Sequence, residues 1–264
     1  MITLTSAELN TWIAAFLWPL TRIIGLISAA PLFGNVSVPA SVKIVLGVFI
    51  AMIISPTVPA MPAMDPMSLA GLLILMQQLL IGLAMGFAMR IVFSCAEVAG
   101  ELAGMTMGLG FASFFDPQSQ GHTSAISQFL SLLTLMIYLA TDLHLALLSA
   151  LADSFQTLPI SSGAMGIQAF HDLGLFGGKI FSAGVQLSLP IIAALLITNL
   201  ALGILTRAAP QLNLFGIGFP ITIGVGFIMI AVSLPYMATP LDHMFQEGMD
   251  TIRQIGSTNA VPIP

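Results

Sequence analysis

The chain has 264 residues, 57% of them hydrophobic and 6% charged, with a formal net charge of −5 and a mean hydropathy of +1.03. Soluble domains carry about 25% charged residues, so this composition excludes an ordinary soluble domain and implies an integral membrane protein or part of a membrane-derived complex, read as one all-α unit over residues 1–264. Six scattered Lys and Arg residues form no cluster, which argues against nucleic-acid binding, and the single cysteine, Cys95, excludes an internal disulfide or a cysteine-based metal cluster.

The first ten residues, MITLTSAELN, contain no Lys or Arg, and the first basic residue, Arg22, lies inside an apolar run. A cleaved signal peptide has a basic start, so the first segment is expected to stay. Long apolar runs follow one another at Trp12 to Phe33, Pro39 to Ser55, Met67 to Met89, Ala125 to Leu151, Ile180 to Thr206 and Leu212 to Leu241. A straight span needs about 20 residues. The third, fifth and sixth runs reach that without a charge, whereas the first holds Pro19 and Arg22, the second stops at Ser55-Pro56 and the fourth holds Asp142. Pro19, Pro190, Pro220 and Pro235 inside these runs predict bent or short helices whose freed backbone groups need protein or water around them. The stretch NLFGIGFPITIGVG, from Asn213 to Gly226, places four glycines and a proline in fourteen positions and predicts a further break. With six spans, Lys43, Arg90 and Arg207 fall on one side and Lys179 and Arg253 on the other, which favours termini outside the cytoplasm. Residues 241–256, LDHMFQEGMDTIRQIG, read as an amphipathic helix of about four turns. Its acidic polar face suits a protein partner or the same chain better than anionic lipid.

One stretch fits neither a span nor an ordinary surface loop. From Gly100 to Gly121, GELAGMTMGLGFASFFDPQSQG combines two Met, three Phe and five Gly with Glu101 and an Asp-Pro pair. Gly100, Gly104 and Gly108 recur every four residues, which on a helix makes one smooth stripe where another backbone can approach. Gly108, Gly110 and Asp116-Pro117 then predict the end of that helix and an irregular piece carrying Phe111, Phe114 and Phe115. Two readings stand: a buried loop packed by its own side chains, or a movable closure in which Met105 and Met107 adapt to the aromatic rings. The glycines and Asp116-Pro117 tilt the balance toward the second.

Charges inside or between the runs are Arg22, Arg90, Glu97, Glu101 and Asp142, with Lys179 and Arg207 at run ends. Each is expected to face protein or water, because a charge at the bilayer centre costs at least about 2.5 kcal/mol. Arg90, Glu97 and Glu101, at spacings of seven and four, share a helical face and read as a polar seam toward a neighbouring subunit or an aqueous path. Snorkelling ends are the alternative, and Glu reaches less far than Lys or Arg. Asp142 and His144 point to different helical faces and have no carboxylate, His, Lys or Arg three or four positions away, which argues against a proton relay. His122 and Ser124 lack a GxSxG turn, and no HExxH or paired His-carboxylate motif occurs, so the reading is non-enzymatic, with no cofactor and no metal.

Three stretches carry a family resemblance. MTMGLGFASFFDPQ, from Met105 to Gln118, and NLALGILTRAAPQLNLFGIGFP, from Asn199 to Pro220, closely resemble the two signature regions of the FliR family of flagellar type III export-gate membrane proteins. FLWPLTRIIGLISAAPLFGNVSVP, from Phe16 to Pro39, looks like that family's first hairpin. The resemblance implies a subunit of the bacterial inner membrane at the flagellar basal body, assembled with FliP and FliQ and associated with FlhB. It also implies bent helical hairpins wound into a funnel that stands partly above the lipid bilayer and passes unfolded export substrates. In this family the loop corresponding to Gly108 to Gly121 lies in the pore as a plug. The residues this implies within 105–121 are Met105, Met107, Gly108, Gly110, Phe111, Phe114, Phe115, Asp116 and Pro117. The turn from Arg207 through Pro210 to Gln211 carries over as a structural corner with subunit contacts. Related injectisome proteins share the architecture, so virulence needle export is the nearest rival, although the FASFFDPQ wording resembles the flagellar branch. A small-solute transporter would call for an internal repeat and a convergent polar pocket, and neither is visible. A plain membrane scaffold would tolerate loss of the 105–121 loop without a change in permeability.

Overall fold

The computed structural model describes residues 6–59, 65–111, 124–160, 167–209 and 214–257. Among them the long elements are all helices: α1 (Ser6–Ala29), α2 (Ala40–Ile54), α3 (Leu69–Met107), α4 (Ala125–Ala140), α5 (Leu143–Thr157), α6 (Ile167–Gly177), α7 (Lys179–Ala208) and α8 (Phe219–Ser257). Five segments are long and apolar enough to cross a membrane, and α4 with α5 makes a sixth if they count as one broken span. Apolar side chains such as Phe181, Leu189, Ile197 and Leu200 of α7 stay exposed, the pattern of a helix surrounded by lipid or other apolar protein. The chain is therefore a membrane protein. Both α3 and α8 are 39 residues long, about 58 Å at 1.5 Å per residue, nearly twice the roughly 30 Å of bilayer hydrocarbon. Neither fits inside the hydrocarbon along its whole length at an ordinary tilt of about 20°.

The breaks do not fall where proline alone would put them. Pro19, Pro190, Pro235 and Pro240 lie inside α1, α7 and α8 without ending them, and Pro220 sits in the first turn of α8, where no helical N–H is needed. Nor does the third run end near Met89, since α3 continues to Met107. The apolar runs also give no sign of the short helix α6. Between α4 and α5 the break comes from one residue: Asp142 takes a left-handed conformation with φ 54°, a backbone state that Asp and Asn tolerate better than most side chains. Its carbonyl then accepts the N–H groups of Leu145 and Ala146, at 2.9 and 3.1 Å, which starts α5.

By contact the chain forms two compact units. The first comprises Met1–Ile91, Asp142–Gly177 and Phe245–Pro264; the second comprises Val92–Thr141 and Gly178–Met244. In the first unit α1 crosses α3 backbone to backbone. A Cβ on Gly25 would lie 2.7 Å from the Leu79 carbonyl oxygen, one on Gly86 would lie 2.7 Å from that of Leu26, and one on Gly82 would collide with that of Arg22. At this crossing Arg22 is completely buried. Its Nε donates to Gln78 Oε1 at 2.8 Å, its Nη1 to Ser154 O and Oγ at 2.8 and 3.0 Å, and its Nη2 to Leu158 O at 2.9 Å. The guanidinium also lies 4.3 Å from the centre of the Phe155 ring. Ser154 and Leu158 belong to the end of α5, so the cation occupies carbonyls at the negative pole of that helix. The last turns of α8 complete this unit by burying Phe245, Met249, Ile252 and Ile255 while Asp250 and Arg253 stay exposed.

The second unit centres on Ala103, Met107, Ile126, Ile191, Leu195 and Ile230, contributed by α3, α4, α7 and α8. Gly184 of α7 lets that helix close on Val98 and on the Cys95 carbonyl of α3. Phe93 meets Tyr138 edge to face, with ring centres 5.7 Å apart.

The Arg22 network yields the first prediction. Truncation in Arg22→Ala would leave buried acceptors on α3 and α5 without their donor, at a cost of about 3 kcal/mol or more. Thermal unfolding in detergent should show a clear drop in midpoint, with partial recovery in Arg22→Lys; an unchanged midpoint would mean the network contributes little.

Candidate functional site

Of the residues singled out by sequence, Glu97, Glu101, Met105, Met107, Gly108 and Gly110 lie at or just beyond the far end of α3. Gly100 rests against the backbone of Ser127, and a Cβ on Gly104 would lie 3.0 Å from Ser124 Oγ. The small-residue face of α3 thus receives the first turn of α4. A line of serines from α4 meets the two carboxylates of the same helix. Ser124 donates its N–H to Glu101 Oε2 at 3.2 Å, Ser127 Oγ donates to the Glu97 carbonyl at 2.8 Å, and Ser131 Oγ donates to Glu97 Oε1 at 3.4 Å. Ser124 is also the N-cap of α4, since its hydroxyl oxygen accepts the Ser127 N–H at 3.1 Å. Glu101 therefore adds a second acceptor at a helix start, where unpaired N–H groups and the dipole favour negative charge.

At the end of α3 the chain is held tightly. Met107, its last residue, is completely buried, and its carbonyl accepts a hydrogen bond from Thr222 Oγ at 3.1 Å. Its side chain packs on Gly226, where an added Cβ would lie 2.5 Å from the Met107 side chain. Gly108 then turns left-handed, with φ 88°, a conformation that suits glycine. A Cβ there would also meet the Phe219 ring at 2.7 Å. The short 3-10 turn Leu109–Phe111 follows. Gly110 differs from Gly108, since a Cβ on it would meet nothing within 4 Å. Met105, two residues before the end of α3, is 62% exposed.

Arg90 is exposed on α3, Asp142 is exposed at the start of α5, and Arg207 is exposed in the last turn of α7, where a cation complements the helix dipole. Phe114, Phe115, Asp116, Pro117, Pro210 and Gln211 lie outside the described residues. Among the described residues no group of three or more His, Cys, Asp or Glu side chains could hold a metal ion. A cavity of about 180 Å³ between α5 and the end of α8 is lined by Ser149, Asp153, Thr157 and Arg253 among others, below the roughly 300 Å³ at which small-molecule pockets usually begin. Sequence reasoning missed Phe219, Thr222 and Gly226. Their sequence signal is the spacing of three and four that puts them on one helical face, within a stretch whose glycines and proline predict a break.

Such an architecture, all-helical among the described residues, with five or six apolar segments long enough to cross a membrane and close glycine contacts around one helix end, defines a class of helical integral membrane protein. The model of the family "Bacterial export proteins, family 1" matches residues 13–248, and the chain belongs to that family. It is 43% identical over 255 residues to the flagellar biosynthetic protein FliR of Pectobacterium carotovorum subsp. carotovorum, with 97% of each chain covered. FliR of Escherichia coli (strain K12) is 40% identical over the same length and coverage. FliR of Bacillus subtilis (strain 168) is 31% identical over 250 residues, covering 91% of this chain and 94% of the relative. The FliR resemblance carried by the quoted stretches thus extends over nearly the full length.

The two glycines after α3 should respond differently to a methyl group. Gly108→Ala combines a left-handed backbone with contact against Phe219 and should destabilise the chain by about 1–3 kcal/mol, whereas Gly110→Ala should be close to neutral. Equal thermal shifts for the two variants in detergent would contradict this assignment.

Proposed function

We propose that the chain is a non-enzymatic subunit of the flagellar type III protein export gate, in the bacterial inner membrane at the flagellar basal body. With FliP and FliQ, and with FlhB associated, it forms a closed conduit for unfolded flagellar proteins. The observation that carries this reading is the 43% identity to a FliR protein across 97% of both chains. The lengths of α3 and α8 fit it as well, because helices of about 58 Å suit a conduit that rises beyond the bilayer.

Within that gate, residues 105–121 act as the plug. Met105 and Met107 with Phe111, Phe114 and Phe115 keep the pore dry until a substrate displaces the aromatic part of the loop, and thioether side chains suit the task because they adapt to irregular gaps. Gly108 and Gly110 both belong to the hinge of such a movement: a Cβ on Gly108 would meet the Phe219 ring, while one on Gly110 would meet nothing within 4 Å. Arg90, Glu97, Glu101, Asp142 and the corner Arg207, Pro210 and Gln211 supply polar contacts to neighbouring subunits. Glu97 and Glu101 contribute while also tying α3 to α4.

The test is coexpression with FliP and FliQ from the same source, followed by native mass spectrometry in detergent. A discrete complex that contains this chain is expected; a chain that runs alone or as a homo-oligomer would remove the gate reading. In the assembled complex, replacing Phe111, Phe114 and Phe115 together by Ala should raise ion conductance across a planar bilayer without loss of assembly. Unchanged conductance would argue against a plug.

A further inference from the structure

Three contacts from one helix meet at a two-residue point. Phe219, Thr222 and Gly226 lie on the first two turns of α8, at spacings of three and four, so they share one face. Each touches the junction where α3 ends: Thr222 bonds the Met107 carbonyl, Gly226 receives the Met107 side chain, and Phe219 covers Gly108. The carbonyl of a last helical residue has no partner within its own helix, so an outside donor there is a cap supplied from another element.

The geometry points to the start of α8 as the element that positions the Met107–Gly108 junction, coupling the turn before α8 to the point where the chain leaves α3. Phe219 is the first residue of α8 and directly follows the turn Leu214–Gly218. A displacement of that turn therefore moves the ring lying over Gly108. The Thr222 contact is also built to be broken. Its hydroxyl has one proton and two acceptors in reach, Met107 O at 3.1 Å and Phe219 O of its own helix at 3.0 Å. When the junction moves away, the proton keeps a partner on Phe219 O, so release leaves no buried hydroxyl donor unpaired. The packing half of the contact behaves differently. Met107 fits against Gly226 only because that position carries no side chain, so the contact gives close seating without any directional bond.

That this junction bears on conductance rests on the plug reading proposed above; the positioning role does not. Hydrogen exchange separates the two. The Gly108 N–H bonds to Met105 O at 3.1 Å, and its exchange reports opening of this junction. In the full-length chain, Thr222→Val removes the hydroxyl at nearly constant shape and should speed exchange in peptides that end at or before Phe111 by roughly two- to tenfold. Thr222→Ser, which retains the hydroxyl, should stay within about twofold of the unsubstituted chain. Should Thr222→Val fail to accumulate in membranes, Phe219→Leu decides the matter, since it removes the ring over Gly108 and should speed the same amides. Unchanged exchange in the variant that folds overturns the positioning role, whatever its conductance. Faster exchange with unchanged conductance upholds the positioning role and counts against the plug.

Discussion

A guanidinium buried in an apolar membrane protein sets the terms for the first unit. Removing such a charge from water costs several kcal/mol, which is offset only if every donor finds an acceptor in good geometry. Each of the three Arg22 nitrogens finds an oxygen, from Gln78, Ser154 or Leu158, and the cation also rests on the face of Phe155. These groups come from α3 and α5, so the charge can be accommodated only when three helices are in register. The glycines at the α1–α3 crossing serve the same end. With Gly25, Gly82 and Gly86 the two backbones come close enough for the Arg22 side chain to reach past α3 to the end of α5. Larger residues there would separate the helices and leave the cation short of its acceptors.

In the second unit the same device recurs with different chemistry. Gly100 and Gly104 admit the first turn of α4, Gly184 admits α7, and Gly226 admits Met107. Lipid supplies no strong hydrophobic drive for one apolar helix to leave it for another, so close backbone approach and hydrogen bonds between helices carry much of the association. The serine line of α4 against Glu97 and Glu101 and the Thr222 bond to Met107 are the hydrogen-bonded part of that scheme. Both lie near the end of α3, where a continuous helix gives way to a segment rich in Met, Phe and Gly.

The described architecture also explains how a chain with so few charges can be something other than a simple bundle in lipid. Helices nearly twice the hydrocarbon thickness must extend into the headgroup layer and beyond or find apolar partners outside the bilayer. The exposed apolar side chains of α7 are suited to either surrounding. In the gate proposed above, helices of partner subunits would supply that cover.

Much of this was open to a reading of the chain alone. Hydropathy and the scarcity of charge are one-dimensional properties, so membrane class, helical fold and most helix positions follow from them. The every-fourth glycine pattern at Gly100, Gly104 and Gly108 is also local, as is the end of α3 at a glycine pair, and the quoted motifs identify the family. Helix continuity is less legible, because whether Pro19, Pro190 or Pro235 interrupts a helix depends on what surrounds the freed carbonyl. The partners of the buried groups were closed to sequence altogether. Arg22 finds its oxygens 56, 132 and 136 positions away, and Thr222 reaches Met107 across 115. Sequence alone thus determined what kind of protein this is and where its unusual segment lies. Tertiary structure decided which charge is buried, which glycine is pinned and which helix holds the base of that segment, because those outcomes depend on distances between residues far apart in the chain.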